Sequence, residues 1–408
     1  LNSGVSPNDP VVAKALTYLR SYQKPEMTYA VALRTMAFCA AGQPEDHIRI
    51  RQNAKWLEAL QITRGTEKDP GFRGAWAYSA PMGTGDNSNT QFAMLALSEA
   101  ERVGVDVSAS TWRLALDYWK RTQKPDGSWG YKPNERASGS MTCVGISSTV
   151  IALGKLGSGS ARIEGDTVRC CGERTDSEVV RRGLQWLARH FSVRANPGNK
   201  LWLFYYLYGV ERVGRLTGHR FIGQHDWYRE GAEMLVHEQN AFLGYWQGSR
   251  GHETNPLIAT SLALLFLSKG RRPVVLAKAK YGDADEWDQH AGGVPNLTRH
   301  LEKAWSKDLT WQAIDLNRAN SKDLLETPVL FLSGRQSLQL SDRQQANLRA
   351  YVEQGGFIFA EASDGNGCDG KAFDRPFREL MRKLFPDSTL RLLPPDHAVW
   401  YAEGKVEA

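Results

Sequence analysis

Apolar residues recur at helical spacing in two alternating kinds of segment over the first two thirds of the chain. One kind is amphipathic, and the other is almost wholly apolar and rich in small residues. The amphipathic segments end at Gln23, Gln61, Gln123, Phe191 and Gln239, spaced by 38, 62, 68 and 48 residues. The apolar segments follow at residues 28–41, 89–103, 142–156, 200–213 and 256–268. We predict stacked helical hairpins in which partly polar outer helices alternate with apolar inner ones, because one hairpin cannot bury its apolar face alone.

A Q-x-x-x-G-x-W motif follows one outer helix and indicates how the hairpins are fastened together. Gln123, Gly127 and Trp129 form it, and the turn sequence Pro125-Asp126-Gly127 ends the helix. We expect the Gln side chain to bond the frayed backbone at this helix end and the indole to fold back over the loop. Looser copies join Gln61 to Gly74 and Trp76, and Gln239 to Gly244 and Trp246.

With these motifs, residues 1–270 resemble the α/α-toroid of the prenyltransferase and squalene-cyclase repeat superfamily. The resemblance implies a ring of inner helices inside a ring of outer ones, closed by six hairpins. Residues 4–9 repeat the local pattern of residues 104–108, so we expect the chain to begin at the end of a hairpin whose body is missing. Because the superfamily includes cyclases, protein prenyltransferases, thioester domains and proteins without known chemistry, the resemblance predicts fold rather than activity.

The remaining third of the chain alternates strands and helices. Apolar runs predict strands beginning at Val274 and spanning residues 328–332 and 357–360, and helices are predicted at 296–304 and 341–354, the latter capped by Ser341. This order is typical of a parallel α/β sheet. Residues 274–408 resemble domain of unknown function 4159. The resemblance rests on the segments AKYGDADEW, PVLFLSG, LRAYVEQGGFIFAE and FDRPFRELMRKLFP. That resemblance implies a class I glutamine amidotransferase-like fold, and we expect the domain to be truncated at its C-terminus.

Charge and cysteine usage exclude several functional classes. Residues 1–270 contain 32 basic and 25 acidic residues, and residues 271–408 contain 19 and 20. The basic residues form no run interleaved with aromatics, so we predict no nucleic-acid binding. The five cysteines predict neither a disulfide framework nor a zinc site. The adjacent Cys170 and Cys171 are either two loop thiols without a role, which is preferred, or a redox-active or intermolecular bridge. No apolar run reaches membrane-spanning length, and residues 1–10 do not resemble a signal peptide.

The catalytic residues of the toroid enzymes are incomplete in this sequence. The cyclase motif D-x-D-D-T aligns with Asp86 to Thr90, but Ser88 and Asn89 replace the second and third acids. Asp86 is thus the only candidate acid, and the alternative is that it caps the following helix.

Two further catalytic patterns of the superfamily also fail. Cys143 has Met141, and not an Asp, two positions before it, so the prenyltransferase zinc set is absent. The thioester motif C-G-E-Q fails at Arg174.

Aromatic and polar residues near the inner-helix mouths predict an apolar cavity with a few polar contacts. The cavity candidates are Trp76, Asn89, Gln91, Thr142, Cys143, Trp202, Tyr205, Tyr206 and Trp246. Such a cavity suits a lipid, an isoprenoid or a peptide. The alternative is that these rings fill the toroid interior.

In the second domain, ligands of an open parallel sheet are expected beyond the strand carboxyl ends. The candidates there are Ser333, Gly334, Arg335, Glu361, Asp364 and Cys368. Cys368 lies in a Gly-rich loop without a nucleophile elbow, so glutaminase chemistry is not predicted. The acidic run at residues 283–288 is either a solvated loop or a divalent-cation site, and the former is preferred.

The sequence thus predicts a mainly α, multi-domain protein: an α/α-toroid of helical hairpins followed by a smaller α/β domain with a mostly parallel sheet. The leading hypothesis is a binding or scaffold protein without cofactor or metal, whose partner is an apolar small molecule, a peptide or another protein. The alternatives are an isoprenoid cyclase or prenyltransferase and a structural assembly module. The proteins in which the two families usually occur suggest a location in the bacterial periplasm or cell envelope.

Overall fold

The computed structural model is predominantly helical, at 58%, with a smaller part built on a parallel sheet. It describes residues 1–22, 26–64, 70–79, 84–157, 161–164, 167–170, 178–282, 285–288, 290, 292–335, 338–362 and 371–402. The predicted fold class is confirmed at this level. The chain forms two compact units, one of residues 1–273 with 299–312 and the other of residues 274–298 with 313–408.

The first unit consists of alternating outer and inner helices. The outer helices are α1 (Pro10–Ser21), α3 (His47–Leu60), α5 (Ala109–Thr122), α7 (Glu178–His190) and α9 (Trp227–Glu238). The inner helices are α2 (Thr28–Ala41), α4 (Asn87–Arg102), α6 (Gly139–Gly157), α8 (Leu203–Thr217) and α10 (Pro256–Leu267). A short antiparallel hairpin, β1 (Ala161–Glu164) and β2 (Thr167–Cys170), precedes α7. The inner helices therefore begin and end within a few residues of their predicted bounds.

Successive inner helices pack on one another, from α2 to α4, α6, α8 and α10. Their buried side chains form the core of this unit and include Phe38, Leu97, Ile146, Tyr206 and Phe266. Outer helices α3, α5, α7 and α9 each pack on at least one inner helix. Among the described residues, α6 alone is long and apolar enough to cross a membrane, but 72% of that stretch is buried inside the protein. Its composition is therefore that of a central core helix.

The Gln–Gly–Trp motif adopts the same geometry in all three copies. The indole Nε1 atoms of Trp76, Trp129 and Trp246 donate to the backbone carbonyls of Leu57, Trp119 and Leu235, each in the preceding outer helix, at 2.7–3.2 Å. The tryptophans thus staple each loop onto the helix that it follows, as predicted.

The Gln side chains differ from the expectation. Gln61, Gln123 and Gln239 donate to the carbonyl of the motif glycine, Gly74, Gly127 or Gly244, at 2.7–3.1 Å. Gln61 and Gln123 also donate to Thr111 and Val179, near the start of the next outer helix, at 3.0 and 2.8 Å. Each of these two side chains therefore joins neighbouring hairpins instead of capping its own helix.

The second unit is built around a parallel four-stranded sheet in the order β4-β3-β5-β6. The strands are β3 (Val274–Lys280), β4 (Thr310–Asp315), β5 (Val329–Gly334) and β6 (Phe357–Ala362). The helices of this part of the chain are α11 (Gly293–Trp305), α12 (Ser321–Leu324), α13 (Asp342–Glu353) and α14 (Lys371–Leu384). The end of α11 and the start of β4 fall within residues 299–312, which are grouped with the first unit. Ser341 caps α13 as predicted, through a capping box with Gln344. The sequence reasoning missed β4, because TWQAID has too few apolar residues to read as a buried strand.

Candidate functional site

The predicted cavity residues of the first unit are placed mostly in its core. Seven of them are buried, and Trp202 and Tyr205 are half-buried; the buried ones are Trp76, Asn89, Gln91, Thr142, Cys143, Tyr206 and Trp246. Trp76 and Trp246 have their indole N–H groups engaged in the staples described above. Burial raises the pKa of the Cys143 thiol, which keeps it protonated and unreactive.

The inner-helix threonines have a structural role that the sequence reasoning did not identify. The backbone N–H groups of Trp76, Trp129 and Trp246 donate to the hydroxyls of Thr90, Thr142 and Thr260 at 3.0–3.3 Å. Each Trp is therefore bonded to two helices. Its indole N–H donates to the outer helix, and its backbone N–H donates to the inner helix. The recurring offset of 13 or 14 residues from Trp to Thr is the sequence signal for this bond.

Asp86 caps helix α4. One carboxylate oxygen accepts from the backbone N–H groups of Ser88 and Asn89 and from the Ser88 hydroxyl, at 2.6–3.0 Å. The other accepts from Asn89 Nδ2 at 2.7 Å. Both oxygens of the candidate acid are thus occupied by the start of its own helix, which is the cap geometry of the alternative interpretation.

Side chains meet across the interior at Gln91. The Tyr205 hydroxyl on α8 donates to Gln91 Oε1 on α4 at 2.7 Å, and the Phe92 and Tyr205 rings stack with centroids 6.2 Å apart. Asn89 Oδ1 and Gln91 Nε2 are buried without a hydrogen-bond partner. The predicted polar residues around Gln91 therefore lie among packed rings.

An open pocket lies beside this cluster, where the loops before α8 and α10 meet the end of α9. Its volume is about 300 Å³. It is lined by Arg194, Lys200, Leu201, Trp202, Leu203, Phe204, Met234, Glu238, Gln247, Gly248, Ser249, Arg250 and Glu253. Trp202, one of the predicted cavity residues, lines this pocket, which we call the Trp202 pocket.

Trp202 is held in an unusual backbone conformation. Its φ of 67° and ψ of 45° lie in the left-handed region, which a bulky residue seldom adopts. The indole packs edge-on against Tyr205, with centroids 6.4 Å apart, and at a tilt against His252, at 5.6 Å. Such strain persists only where surrounding contacts enforce it, and it concentrates at functional sites.

Glu253 lines the pocket and is only 2% exposed. Its Oε1 accepts from the backbone N–H of Tyr205 at 2.9 Å, in the first turn of α8. Burial raises the pKa of Glu253, and hydrogen bonds from the backbone of residues 203–205 partly oppose the rise. Glu253 therefore caps α8 from a distant loop and fixes the helix that carries Phe204 and Tyr205.

In the second unit, several predicted candidates meet where the strands end. Ser333 and Glu361 are paired across β5 and β6, with Gly334 beside Ala362 one residue further. The buried Ser333 hydroxyl donates to Trp287 O at 3.0 Å, and Arg335 is exposed at the end of β5. Asp364 and Cys368 lie outside the described residues.

The acidic run at residues 283–288 provides an ion-pair partner for a buried lysine. Lys278, only 1% exposed, donates to the carboxylate of Asp288 and to the carbonyl of His290. Within the described part of the chain no three His, Cys, Asp or Glu side chains form a group that could hold a metal ion. Asp283 is outside the described residues.

Comparison with known proteins gives one family match, over the last third of the chain. A search of curated proteins gave no match to the chain. Residues 275–407 match the family model described as "Domain of unknown function (DUF4159)". This match covers the strands of the parallel sheet and confirms the predicted resemblance for that part of the chain.

Proposed function

We propose that this protein is a binding protein and that the Trp202 pocket in its helical unit is the ligand site. The observation that carries the proposal is a pocket of about 300 Å³ beside a tryptophan held in the left-handed conformation. The volume is at the lower end of the range for small-molecule sites. The α/β unit, which we interpret as amidotransferase-like, would serve recognition through the residues at the carboxyl ends of β5 and β6.

We interpret the helical unit as an α/α-toroid of the prenyltransferase and squalene-cyclase type. The support is the repeated geometry of the three Gln–Gly–Trp motifs and the succession of packed inner helices. In this interpretation the loop ends of the hairpins carry the variable, ligand-binding residues, as loops on a rigid scaffold commonly do.

The geometry around Asp86 favours binding over isoprenoid chemistry. Its oxygens accept bonds from four donors of its own helix start. For the enzyme alternative, Asp86→Asn should abolish product formation from squalene or a prenyl diphosphate. For the binding protein, purified protein should form no product from either substrate.

The test of the proposed function is mass spectrometry of organic extracts from purified protein. Ser249→Trp introduces a large side chain at the exposed rim of the Trp202 pocket, whereas Ala109→Trp adds the same ring at the exposed start of α5. We expect a small molecule that is released by the wild type and by Ala109→Trp and is depleted in Ser249→Trp. A molecule retained equally by all three proteins would place the site elsewhere.

A second candidate function, a structural assembly module, is favoured by the apolar surface of the last hairpin. Phe242, Leu257, Leu243 and Val236 are 97%, 77%, 74% and 67% exposed. Exposed apolar clusters commonly mark protein interfaces. This candidate predicts a stable oligomer, which light scattering would detect. Leu257→Asp should dissociate the oligomer, and the organic extracts of this variant should be the same as those of the wild type.

A further inference from the structure

The Trp202 pocket has an uncompensated positive rim. Arg194, Lys200 and Arg250 line it, and all three residues are exposed. None of these three side chains has an ion-pair partner among the described residues, whereas Arg20 and Arg220 bond Asp46 and Asp226 at 2.6 and 2.7 Å. Three basic side chains converging on one pocket without carboxylate partners are free to bind an anion.

The two carboxylates of the pocket form no ion pair with its basic side chains among the described residues. Glu253 is directed at the backbone N–H groups at the start of α8. Because this carboxylate caps α8, the helix N-terminus is not available to an anionic ligand. Glu238, at the end of α9, is the remaining acidic side chain of the lining, and it is exposed.

Part of the lining of the Trp202 pocket is apolar. Trp202, Phe204 and Met234 contribute aromatic and thioether surface, and Trp202 is held rigidly by its backbone and by the ring contacts described above. A ligand that satisfies both parts of the pocket has an apolar body and an oxyanion at one end. Arginine guanidinium groups bind carboxylate and phosphate oxygens through paired N–H donors.

Building on the proposed function, we propose that the ligand of the Trp202 pocket is a small amphiphilic anion. Its aromatic or aliphatic body lies against Trp202 and Phe204, and its carboxylate or phosphate is bound by Arg194, Lys200 and Arg250. The ligand is a free small molecule, because the pocket holds about 300 Å³.

Two fluorescent probes with the same aromatic body test this assignment. Anilinonaphthalene sulfonate carries an anion, and N-phenylnaphthylamine is its neutral counterpart. We expect the protein to bind the sulfonate several-fold more tightly than the neutral probe at low salt, with the difference shrinking as salt is added. Arg194→Gln, Lys200→Gln and Arg250→Gln should each weaken sulfonate binding about two- to fivefold and leave the neutral probe unchanged. Glu238→Gln should strengthen sulfonate binding about twofold.

Matched controls separate the possible results. Lys120→Gln removes an exposed charge on α5 outside the pocket and should change neither affinity. Ser249→Trp should reduce binding of both probes, which places them in this pocket. Equal affinities for the two probes, or equal losses in the charge variants, would overturn the anion assignment and leave the proposed function standing. If Ser249→Trp binds both probes like the wild type, the pocket itself is not a binding site.

Discussion

At the scale of single residues, Trp202 and Glu253 connect the lining of the pocket to the start of α8. They are 51 positions apart in the sequence, yet Trp202 precedes the first turn of α8 and Glu253 caps that same turn. Trp202 was predicted as a cavity residue because aromatic side chains crowd this helix. Glu253 was not, because nothing in the local sequence shows that its carboxylate reaches the start of another helix.

Replacing Trp202 tests whether its backbone is strained. Trp202→Gly and Trp202→Ala both remove the indole, but only Gly adopts the left-handed conformation without a steric cost. The Gly variant should therefore be more stable than the Ala variant by about 1 kcal/mol. Urea unfolding of the two variants measures the difference. A more stable Ala variant would show that residue 202 is not in the left-handed region.

The raised pKa of Glu253 predicts a specific pH dependence of stability. The folded protein holds this proton at higher pH than the unfolded chain does, so stability falls as pH rises from the ordinary value of 4.5 through the raised one. Glu253→Gln cannot titrate and should lack this fall. The difference in melting temperature between the wild type and Glu253→Gln should therefore change between pH 4 and pH 8. A constant difference at every pH would contradict the assignment.

At the scale of elements, periodicity was sufficient to predict the helices but not the bonds between hairpins. Helix α2 occupies its predicted residues, because a continuous apolar segment and Gly42 in the left-handed region define its length. The bonds from Gln61 to Thr111 and from Gln123 to Val179 span 50 and 56 residues. Such contacts depend on how hairpins stack, which no local pattern encodes.

The motif glycine should be sensitive to substitution for a reason beyond its backbone angles. Gly127 and Gly104 both have positive φ, of 94° and 87°. A Cβ on Gly127 would overlap the carbonyl oxygen of Arg182 on the next outer helix, whereas Gly104 has open space. We expect Gly104→Ala to cost about 1 kcal/mol and Gly127→Ala about 2–4 kcal/mol by denaturant unfolding. Equal costs would mean that α7 does not pack on this loop as described.

In the second unit, the buried pair of Lys278 and Asp288 predicts a non-additive result. Asp288→Asn leaves the Lys278 charge buried without its partner and should destabilise the protein by about 3 kcal/mol. The double variant Lys278→Met with Asp288→Asn removes that unpaired charge and should be less destabilised than Asp288→Asn alone. Thermal unfolding of the single and double variants provides the comparison. Additive losses would show that the two side chains do not interact.

At the scale of the whole molecule, the sequence was more informative about architecture than about the site. The helical part and the parallel sheet were predicted because periodicity and resemblance act over long stretches. The Trp202 pocket was missed because its lining comes from three separate stretches, at residues 194–204, 234–238 and 247–253. Their proximity follows from the packing of α8, α9 and α10. In the second unit, the proximity of Ser333 and Glu361 was predictable because parallel strands end at a common edge.

The measurement that tests the central claim most directly is a titration of the protein with N-phenylnaphthylamine, which probes the pocket without involving charge. We predict saturable binding to the wild type and to Ala109→Trp, and a loss of at least about tenfold in affinity for Ser249→Trp, which obstructs the pocket. Circular dichroism should show that all three proteins are equally folded. Equal binding to the three proteins, or no binding to any of them, would contradict the assignment of the Trp202 pocket as the ligand site.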